Sequence, residues 1–207
     1  MSTLNNVWKD CSRCPLSKLR TSVVYGSGNV GARLVIIGEA PGEQEDLEGK
    51  PFVGPAGERF NALLDAVGIN REDIWITNTC MCRPKHPKPG KNNRAPTVEE
   101  MRSCFPRLAE EINIVRPEII VLAGNTPLYL ATNKRGITKC RGWQKTTWDG
   151  DGFTVKNIYA TLHPASLLHG SEEQRKQKAW WMYNDWLEIA ARVISAEEQV
   201  KTKEPQG

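Results

Sequence analysis

The chain contains four short apolar segments, each of a length typical of a buried β-strand. The first, at 34–37, is a run of four aliphatic residues directly after Arg33. A strand without polar alternation is covered on both faces, as strands of parallel sheets are. The other apolar segments lie at 74–80, 118–124 and 155–161. This pattern predicts an α/β fold built on a parallel sheet.

Helical periodicity occupies much of the sequence between and after these segments. One predicted helix ends at Gly68, and its apolar face comprises Phe60, Leu63, Leu64 and Val67. A second helix follows Thr97, which forms a capping box with Glu100. The apolar positions of this second helix are Met101, Phe105, Leu108, Ile112 and Val115. A closing helix is predicted over about 171–194.

Composition indicates one domain and leaves the choice of partner open. The 207 residues are 39% hydrophobic and 25% charged, as expected for a single domain over 1–196 followed by a polar tail at 197–207. Lys and Arg number 28 against 24 Asp and Glu, an excess that permits a local basic face without requiring one. We find no long uncharged segment for a membrane helix and no signal peptide, so we expect a cytoplasmic monomer without a membrane partner.

A glycine-bounded turn follows the first predicted strand. Gly38 and Gly42 permit close approach of a ligand to the backbone, and ligands of α/β sheets bind at the carboxyl ends of strands. Glu39 in the same turn would repel a phosphate, so the turn favours a neutral polar ligand. A plain strand-to-helix turn would account for the same residues.

Three further side chains are candidates for contact with a ligand. Phe52, in a glycine- and proline-rich loop, could stack on a planar group or cap the core. Asn78 ends the second strand, and its amide matches the N3–H and O4 edge of uracil, although Asn is also common in turns. His163 ends the last strand before Pro164, where it could donate to a developing anion.

Two loops are candidates for contact with DNA. Leu167 and Leu168, beside Ser166, form a possible apolar wedge, although leucines next to a helix start are often part of the core. Residues 83–94 include five Lys or Arg and three prolines, which suits either a nucleic-acid backbone or a solvated loop. Asn93 of this loop is a further candidate for binding the substrate.

The six cysteines are interpreted as metal ligands or buried thiols, because disulfides are rare in a reducing compartment. Cys11 and Cys14 form a C-x-x-C motif that supplies half of a metal site, or are two unrelated thiols. With Cys82 and Cys104, ligand count alone would allow either a zinc ion or an iron–sulfur cluster.

Five motifs together resemble the family 4 uracil-DNA glycosylases, which carry an iron–sulfur cluster. They are Gly-Glu-Ala-Pro-Gly-x-x-Glu-Asp at 38–46, Gly-x-Pro-Phe-Val-Gly at 49–54, Thr-Asn at 77–78, Cys-Arg-Pro at 82–84 and His-Pro-Ala-Ser at 163–166. The resemblance implies a three-layer α/β/α fold with a central four-stranded parallel sheet. It also implies an enzyme that flips deoxyuridine out of single- or double-stranded DNA and hydrolyses its N-glycosidic bond.

The resemblance also implies roles for individual residues. The backbone of Gly38, Glu39 and Ala40 and the side chains of Phe52, Asn78 and His163 would bind uracil, with Glu45 shaping the pocket near C5. A [4Fe–4S] cluster would be held by Cys11, Cys14, Cys82 and Cys104. Ala40 occupies the place where the first family of these glycosylases has a water-positioning Asp, which leaves Glu39 as a candidate to orient the water.

Two departures from the family keep alternatives open. The basic loop looks long and contains His86, and a related branch becomes covalently trapped on uracil DNA through a histidine in such an insertion. The motifs of that branch at the first turn and in the loop are absent here. Cys80 leaves the choice of the third ligand formally ambiguous, and we choose Cys82 because it precedes Arg83-Pro84. A non-catalytic uracil sensor is the second functional hypothesis.

Overall fold

The computed structural model describes residues 1–86 and 93–201, with side chains up to 194. The strands in this part of the chain are β1 (Ser27–Gly28), β2 (Leu34–Gly38), β3 (Trp75–Asn78), β4 (Ile119–Ala123), β5 (Gly142–Trp143), β6 (Trp148–Gly150), β7 (Phe153–Val155) and β8 (Asn157–Thr161). The helices are α1 (Ser2–Trp8), α2 (Glu43–Glu48), α3 (Gly54–Ala66), α4 (Val98–Val115), α5 (Asn125–Thr132), α6 (Ile137–Cys140) and α7 (Glu172–Lys201).

The main sheet has the strand order β1-β3-β2-β4-β8-β5. Its four central strands, β3, β2, β4 and β8, are all parallel, which confirms the predicted four-stranded parallel sheet. The two edge strands, β1 and β5, are antiparallel and each contributes two residues. Such short pairings leave no periodic pattern in a sequence, so the edge strands were not predicted.

The last predicted strand, 155–161, is divided in the structure. Val155 pairs with Trp148 in a separate hairpin formed by β6 and β7, and β8 begins at Asn157. The expectation of one continuous strand was wrong, because the hairpin uses Val155 and the chain enters the main sheet only after Lys156.

Alternate residues of the buried strands pack on opposite sides of the sheet. On one side Val35 and Ile37 pack in a cluster with Leu108 and Ile112 of α4. On the other side Leu34 and Ile36 belong to the core cluster that contains apolar residues of α3 and α7. Helices therefore cover both faces of the sheet, and the three-layer α/β/α architecture is confirmed.

The long helices show where periodicity was informative and where it was not. Thr97 Oγ1 accepts a hydrogen bond from the backbone N–H of Glu100 at 3.2 Å, so the capping box is present. Phe105 was expected in the core, but it is 38% exposed and lies against Trp148 of the hairpin with ring centroids 5.7 Å apart. Helix α7 extends to Lys201 and so continues beyond the domain end expected at 196.

Among the described helices, none combines the length and the apolar character needed to cross a bilayer.

Candidate functional site

The carboxyl ends of the parallel strands bring the candidate residues to one edge of the sheet. Gly38 at the end of β2 is paired in register with Asn78 at the end of β3. Beyond this pair, the N–H of Thr79 donates to the carbonyl of Gly38 at 2.9 Å. On the far side of β2 in the strand order, His163 lies two residues after the end of β8. The turn after β2 therefore lies between the two other predicted ligand-binding segments.

Asn78 is a buried amide without a partner. It is 2% exposed, and neither Oδ1 nor Nδ2 has a hydrogen-bond partner among the residues that the structure describes. Its own carbonyl accepts from Arg107 Nη2 at 2.7 Å, so the backbone at this position is held in place. Leaving a buried amide unpaired costs about 1–3 kcal/mol. An arrangement of this kind is explained by a ligand that supplies both a donor and an acceptor.

Gly38 allows two of the candidate side chains to meet. A Cβ at this position would lie 2.3 Å from Asn78 Oδ1 and 2.6 Å from Cε2 of the Phe52 ring. Both distances are far below van der Waals contact, so no other residue fits without displacing the amide or the ring. The glycine is needed here for the close approach of these two side chains, and the expected approach of a ligand to the backbone stays a prediction.

Phe52 lies in the core and also contacts the catalytic candidate His163. Its ring centroid is 5.2 Å from that of Phe60, edge to face, and 5.2 Å from the imidazole of His163. The backbone of Phe52 has φ 54°, a left-handed conformation that costs energy in a residue other than glycine. The core reading is confirmed, and the role of Phe52 as a ligand platform stays a prediction.

Glu45 and Arg71 hold the strained Phe52 loop. The Glu45 carboxylate accepts from the N–H groups of both Gly42 and Phe52, and so joins the first turn to the loop. Burial raises the pKa of Glu45 above its ordinary value, although these two N–H donors oppose the rise. Arg71 Nη2 donates to the carbonyls of Pro51 at 3.0 Å and Phe52 at 3.1 Å. The role of Glu45 near C5 of a base stays a prediction.

The imidazole of His163 is a neutral donor. Its Nδ1 accepts from the N–H of Ala165 at 3.2 Å, which leaves the ring proton on Nε2. Burial lowers the pKa of His163 to about 4, so the ring is uncharged at neutral pH. Because Pro164 begins a 3₁₀ helix over Pro164–Leu168, the ring is fixed at the start of a rigid turn.

Glu39 has a partner that sequence analysis did not identify. Thr126 Oγ1, in the first turn of α5, donates to Glu39 Oε2. Thr126 is 7% exposed, so this bond is shielded from water and orients the carboxylate. Nothing in the local sequence connects Thr126 with a turn 87 residues earlier.

Five cysteines line one cavity. They are the four expected ligands, Cys11, Cys14, Cys82 and Cys104, together with Cys80. Arg20 Nη1 donates to Cys82 Sγ at 3.3 Å and to the carbonyl of Cys11 at 2.8 Å. Among the described residues, no three His, Cys, Asp or Glu side chains form a site for a single metal ion. The fold thus places the four predicted ligands at one cavity, and it places Cys80 at the same cavity.

Hydrogen bonds and burial alter the acidities of these thiols. Burial raises the pKa of Cys82 to about 11, although the bond from Arg20 opposes the rise. A hydrogen bond with Cys80 lowers the pKa of Cys104, and the guanidinium of Arg107 acts in the same direction. Two arginines therefore stand beside the cavity, where they can offset the negative charge of thiolate ligands.

A buried ion pair on α4 supports the end of β3. Arg107 and Glu111 are 1% and 2% exposed and form a salt bridge. Arg107 Nη1 also donates to Thr77 Oγ1 at 3.0 Å, and Glu111 accepts from Thr77 Oγ1 at 2.7 Å and from Trp75 Nε1 at 3.1 Å. The sequence could have indicated this pair, because Arg107 and Glu111 fall on the same helical face as the buried residue Leu108.

The described cations of the basic loop are paired with other side chains rather than free to bind phosphate. Arg83 is 6% exposed and donates to Asn93 Oδ1 at 2.7 Å and to Glu43 at 3.0 Å. Two further cations are also paired: Lys85 lies 3.5 Å from Asp46, and Arg94 lies 2.6 Å from Glu100. Lys88 and Lys91 lie outside the described residues. The amide oxygen of Asn93 is engaged by Arg83, and its substrate role stays a prediction.

The predicted wedge residues differ in exposure. Leu168 is 37% exposed, whereas Leu167 is half-buried and packs against the core. The hydroxyl of Ser166 is buried without a partner in the described part of the chain. Of the apolar pair, Leu168 is therefore the more available to a partner.

Comparison with known proteins identifies the family. Residues 25–188 match the family model for the Uracil DNA glycosylase superfamily. The chain belongs to this superfamily. A type-4 uracil-DNA glycosylase of Thermotoga maritima is 42% identical over 171 residues, covering 82% of this chain and 83% of the relative. Type-4 enzymes of Saccharolobus solfataricus and Archaeoglobus fulgidus are 40% and 36% identical, over 78% and 82% of this chain and 74% and 85% of theirs. The resemblance found in the motifs is confirmed.

The close contacts at Gly38 predict an overpacked variant. In Gly38→Ala the new methyl group must displace the Asn78 amide or the Phe52 ring, and overpacking of this kind typically costs about 1–3 kcal/mol. We expect denaturant unfolding to show this loss. Gly31→Ala is the matched control, since its Cβ would meet only Asn29 Oδ1, at 3.5 Å. Equal stability of the two variants would show that the site tolerates a side chain at residue 38.

The lowered pKa of His163 predicts a pH-dependent stability. The pKa of His163 is lowered to about 4 in the folded chain, below its ordinary value of about 6.5. The unfolded state therefore binds more protons between these values, so the free energy of unfolding should decrease as pH falls from about 6.5 to 4. His163→Asn should lose this part of the decrease, while the same exchange at exposed His169 should retain it. Parallel stability curves for wild type and His163→Asn would contradict a depressed pKa.

Proposed function

We propose that this chain is a uracil-DNA glycosylase, which flips deoxyuridine out of DNA and hydrolyses the bond between uracil and deoxyribose. The observation that carries the proposal is the unpartnered amide of Asn78, buried between the first turn and Phe52. The names of the type-4 relatives support the same substrate and reaction. The product is free uracil and an abasic site, as in the first step of base excision repair.

Recognition rests on the amide and the ring beside it. Asn78 offers an acceptor to N3–H and a donor to O4 of uracil, and Phe52 offers an apolar surface for the extruded base. Cytosine reverses donor and acceptor at these two positions. A site that depends on such hydrogen bonds can reject the wrong ligand by about 10⁴-fold or more. Because Arg107 fixes the Asn78 carbonyl, the strand that carries the amide is held in place.

The leaving base is the centre of the chemistry. As the C1′–N1 bond breaks, negative charge develops on uracil O2, and the Nε2–H of His163 is the donor proposed to stabilise it. One preorganised donor of this kind can be worth about 3 kcal/mol. The neutral state of His163 suits this role, since a neutral imidazole with Nδ1 already engaged has Nε2–H as its one donor. Backbone N–H groups of residues 38–40 are further proposed donors.

Glu39 is the proposed orienter of the water. Ala40 has no polar group for this task, and Glu39 is the carboxylate of the same turn. Its bond from Thr126 leaves one carboxylate oxygen unengaged by that hydroxyl and limits rotation of the side chain. Leaving-group stabilisation by His163 must accordingly provide a larger share of the rate than in enzymes with an Asp at this place.

A [4Fe–4S] cluster fits the thiol cavity. We propose that Cys11, Cys14, Cys82 and Cys104 hold it, because these thiols, from three distant segments, line a single cavity beside two arginines. When bound, the cluster would supply a structural cross-link between these segments, and such a link over long loops contributes strongly to folding. Arg20, which donates to Cys82 Sγ, would stabilise this ligand electrostatically.

Ala40 also favours one competing function. A chain without a dedicated water-positioning side chain could bind uracil in DNA without cleaving it, as a sensor.

The proposed enzyme acts as a monomer on single or double strands, with Ser166, Leu167 and Leu168 at the duplex. An assay with both forms of DNA separates the functions, since an enzyme produces alkali-labile sites and a sensor produces only a mobility shift.

Asn78 provides the decisive test of base recognition. Asn78→Asp removes the donor to O4 and Asn78→Ala removes both bonds, so each should reduce single-turnover uracil release by at least about a hundredfold. The control is Asn6→Asp, the same exchange at an exposed position of α1. Full activity of either Asn78 variant would place base recognition elsewhere, and absence of release by wild type on both DNA forms would overturn the enzymatic proposal.

The cysteines provide the test of the cofactor. The purified protein should be brown with a broad absorbance shoulder near about 400 nm, which should disappear in Cys104→Ala and Cys82→Ala. Cys80→Ala should retain the colour, as should Cys140→Ala, which lies outside the cavity. A colourless protein with stoichiometric zinc would contradict the iron assignment. If Cys80→Ala loses the colour and Cys82→Ala retains it, the cluster ligand is Cys80 and not Cys82.

A further inference from the structure

The exposed apolar end of the turn after His163 is held by a lysine. Leu168 ends the 3₁₀ helix Pro164–Leu168 and is 37% exposed, next to half-buried Leu167. Lys178, half-buried on α7, reaches this end of the turn. Its Nζ donates to the carbonyl of Ser166 at 3.1 Å and to the carbonyl of His169 at 3.0 Å. One ammonium group thus bridges the carbonyls on either side of the leucine pair.

The opposite end of the turn is held without this lysine. His163 lies two residues after the end of β8, and its Nδ1 accepts from the N–H of Ala165. The N–H of Ser166 donates to the carbonyl of His163 at 2.9 Å, which closes the first turn of the 3₁₀ helix. Because Leu167 also packs against the core, loss of the Lys178 bridge would loosen the turn around exposed Leu168 and leave the imidazole in position.

A bridge at this place suits insertion into a duplex. An apolar side chain that fills the gap left by an extruded base must stay in place while neighbouring bases unstack. A mobile turn would lose conformational entropy on entering the stack, and that loss would oppose extrusion. A positive charge is also favourable at the carboxyl end of a helical turn, where carbonyl oxygens are exposed.

We propose that Lys178 is a positioning residue for base extrusion from double-stranded DNA, acting through the rigidity of the turn that carries Leu168. The proposal rests on the function proposed above and adds a residue to it. A single strand has no partner strand and little stacking to open, so its uracil does not need the wedge. Lys178 therefore affects the duplex reaction selectively.

The matched control lies on the same helix. Lys176 is 76% exposed and its Nζ pairs with Glu172 at 2.6 Å, away from the turn. Lys176→Met removes the same charge from the same helix and does not alter the bridge. If Lys178 acted only as a positive charge for the DNA backbone, Lys178→Met would lose activity on single- and double-stranded DNA to a similar extent, and both losses would depend on salt concentration.

The experiment compares Lys178→Met, Lys176→Met and wild type in single-turnover uracil release from matched single- and double-stranded oligonucleotides. We expect Lys178→Met to be slower on the duplex on the order of tenfold, the effect of losing order in one or two residues, and to stay within about twofold on the single strand. Lys178→Arg, which can also donate to two carbonyls, should recover most of the duplex rate.

A second measurement reads extrusion directly. Fluorescence of 2-aminopurine placed beside uracil in the duplex increases when the base leaves the stack, whether or not its bond is then cleaved. A reduced signal in Lys178→Met alone supports the proposal even if the chain proves to be a sensor. Equal losses on both DNA forms, equal losses in the two Met variants, or unchanged duplex rate and fluorescence would each overturn it.

Discussion

The buried amide of Asn78 is the constraint on which the rest of the site depends. A group with two donors and an acceptor is placed at 2% exposure with its side-chain atoms unpaired among the described residues, at a cost that folding must offset elsewhere. Two neighbouring residues hold this arrangement in place. Gly38 leaves the space that the amide occupies, and Arg107 holds the carbonyl of the same residue.

The surrounding supports come from buried charges that each join two segments. Glu45 ties the first turn to the Phe52 loop, and the Arg107–Glu111 pair ties α4 to the end of β3. Breaking a buried pair leaves an uncompensated charge, which is far more costly than losing a surface pair. Since Arg107 also interacts with Cys104, the thiol cavity and the base-recognition residue share one buried side chain. Arg107 of α4 therefore links the predicted metal site to the predicted base-binding site.

Sequence reasoning succeeded for residues that directly follow a strand. Asn78 and His163 were identified because an apolar run ends beside them, and the carboxyl ends of parallel strands meet at one edge. Arg71, Thr126 and Lys178 were missed, because their partners lie between 9 and 87 residues away and local patterns carry no sign of them. The pairing of Arg83 and Lys85 with carboxylates was missed for the same reason. Charge counts alone suggested a freer basic surface.

By itself, the sequence determined the four parallel strands, the long capped helix and the edge of the sheet that carries the site. Period and capping depend on residues a few positions apart, so they can be read without the fold. Only the tertiary structure decided that Phe52 both packs in the core and contacts His163, and that Cys80 shares the cavity of the expected ligands. These are distances between remote segments, and they follow from how the layers pack rather than from any local pattern.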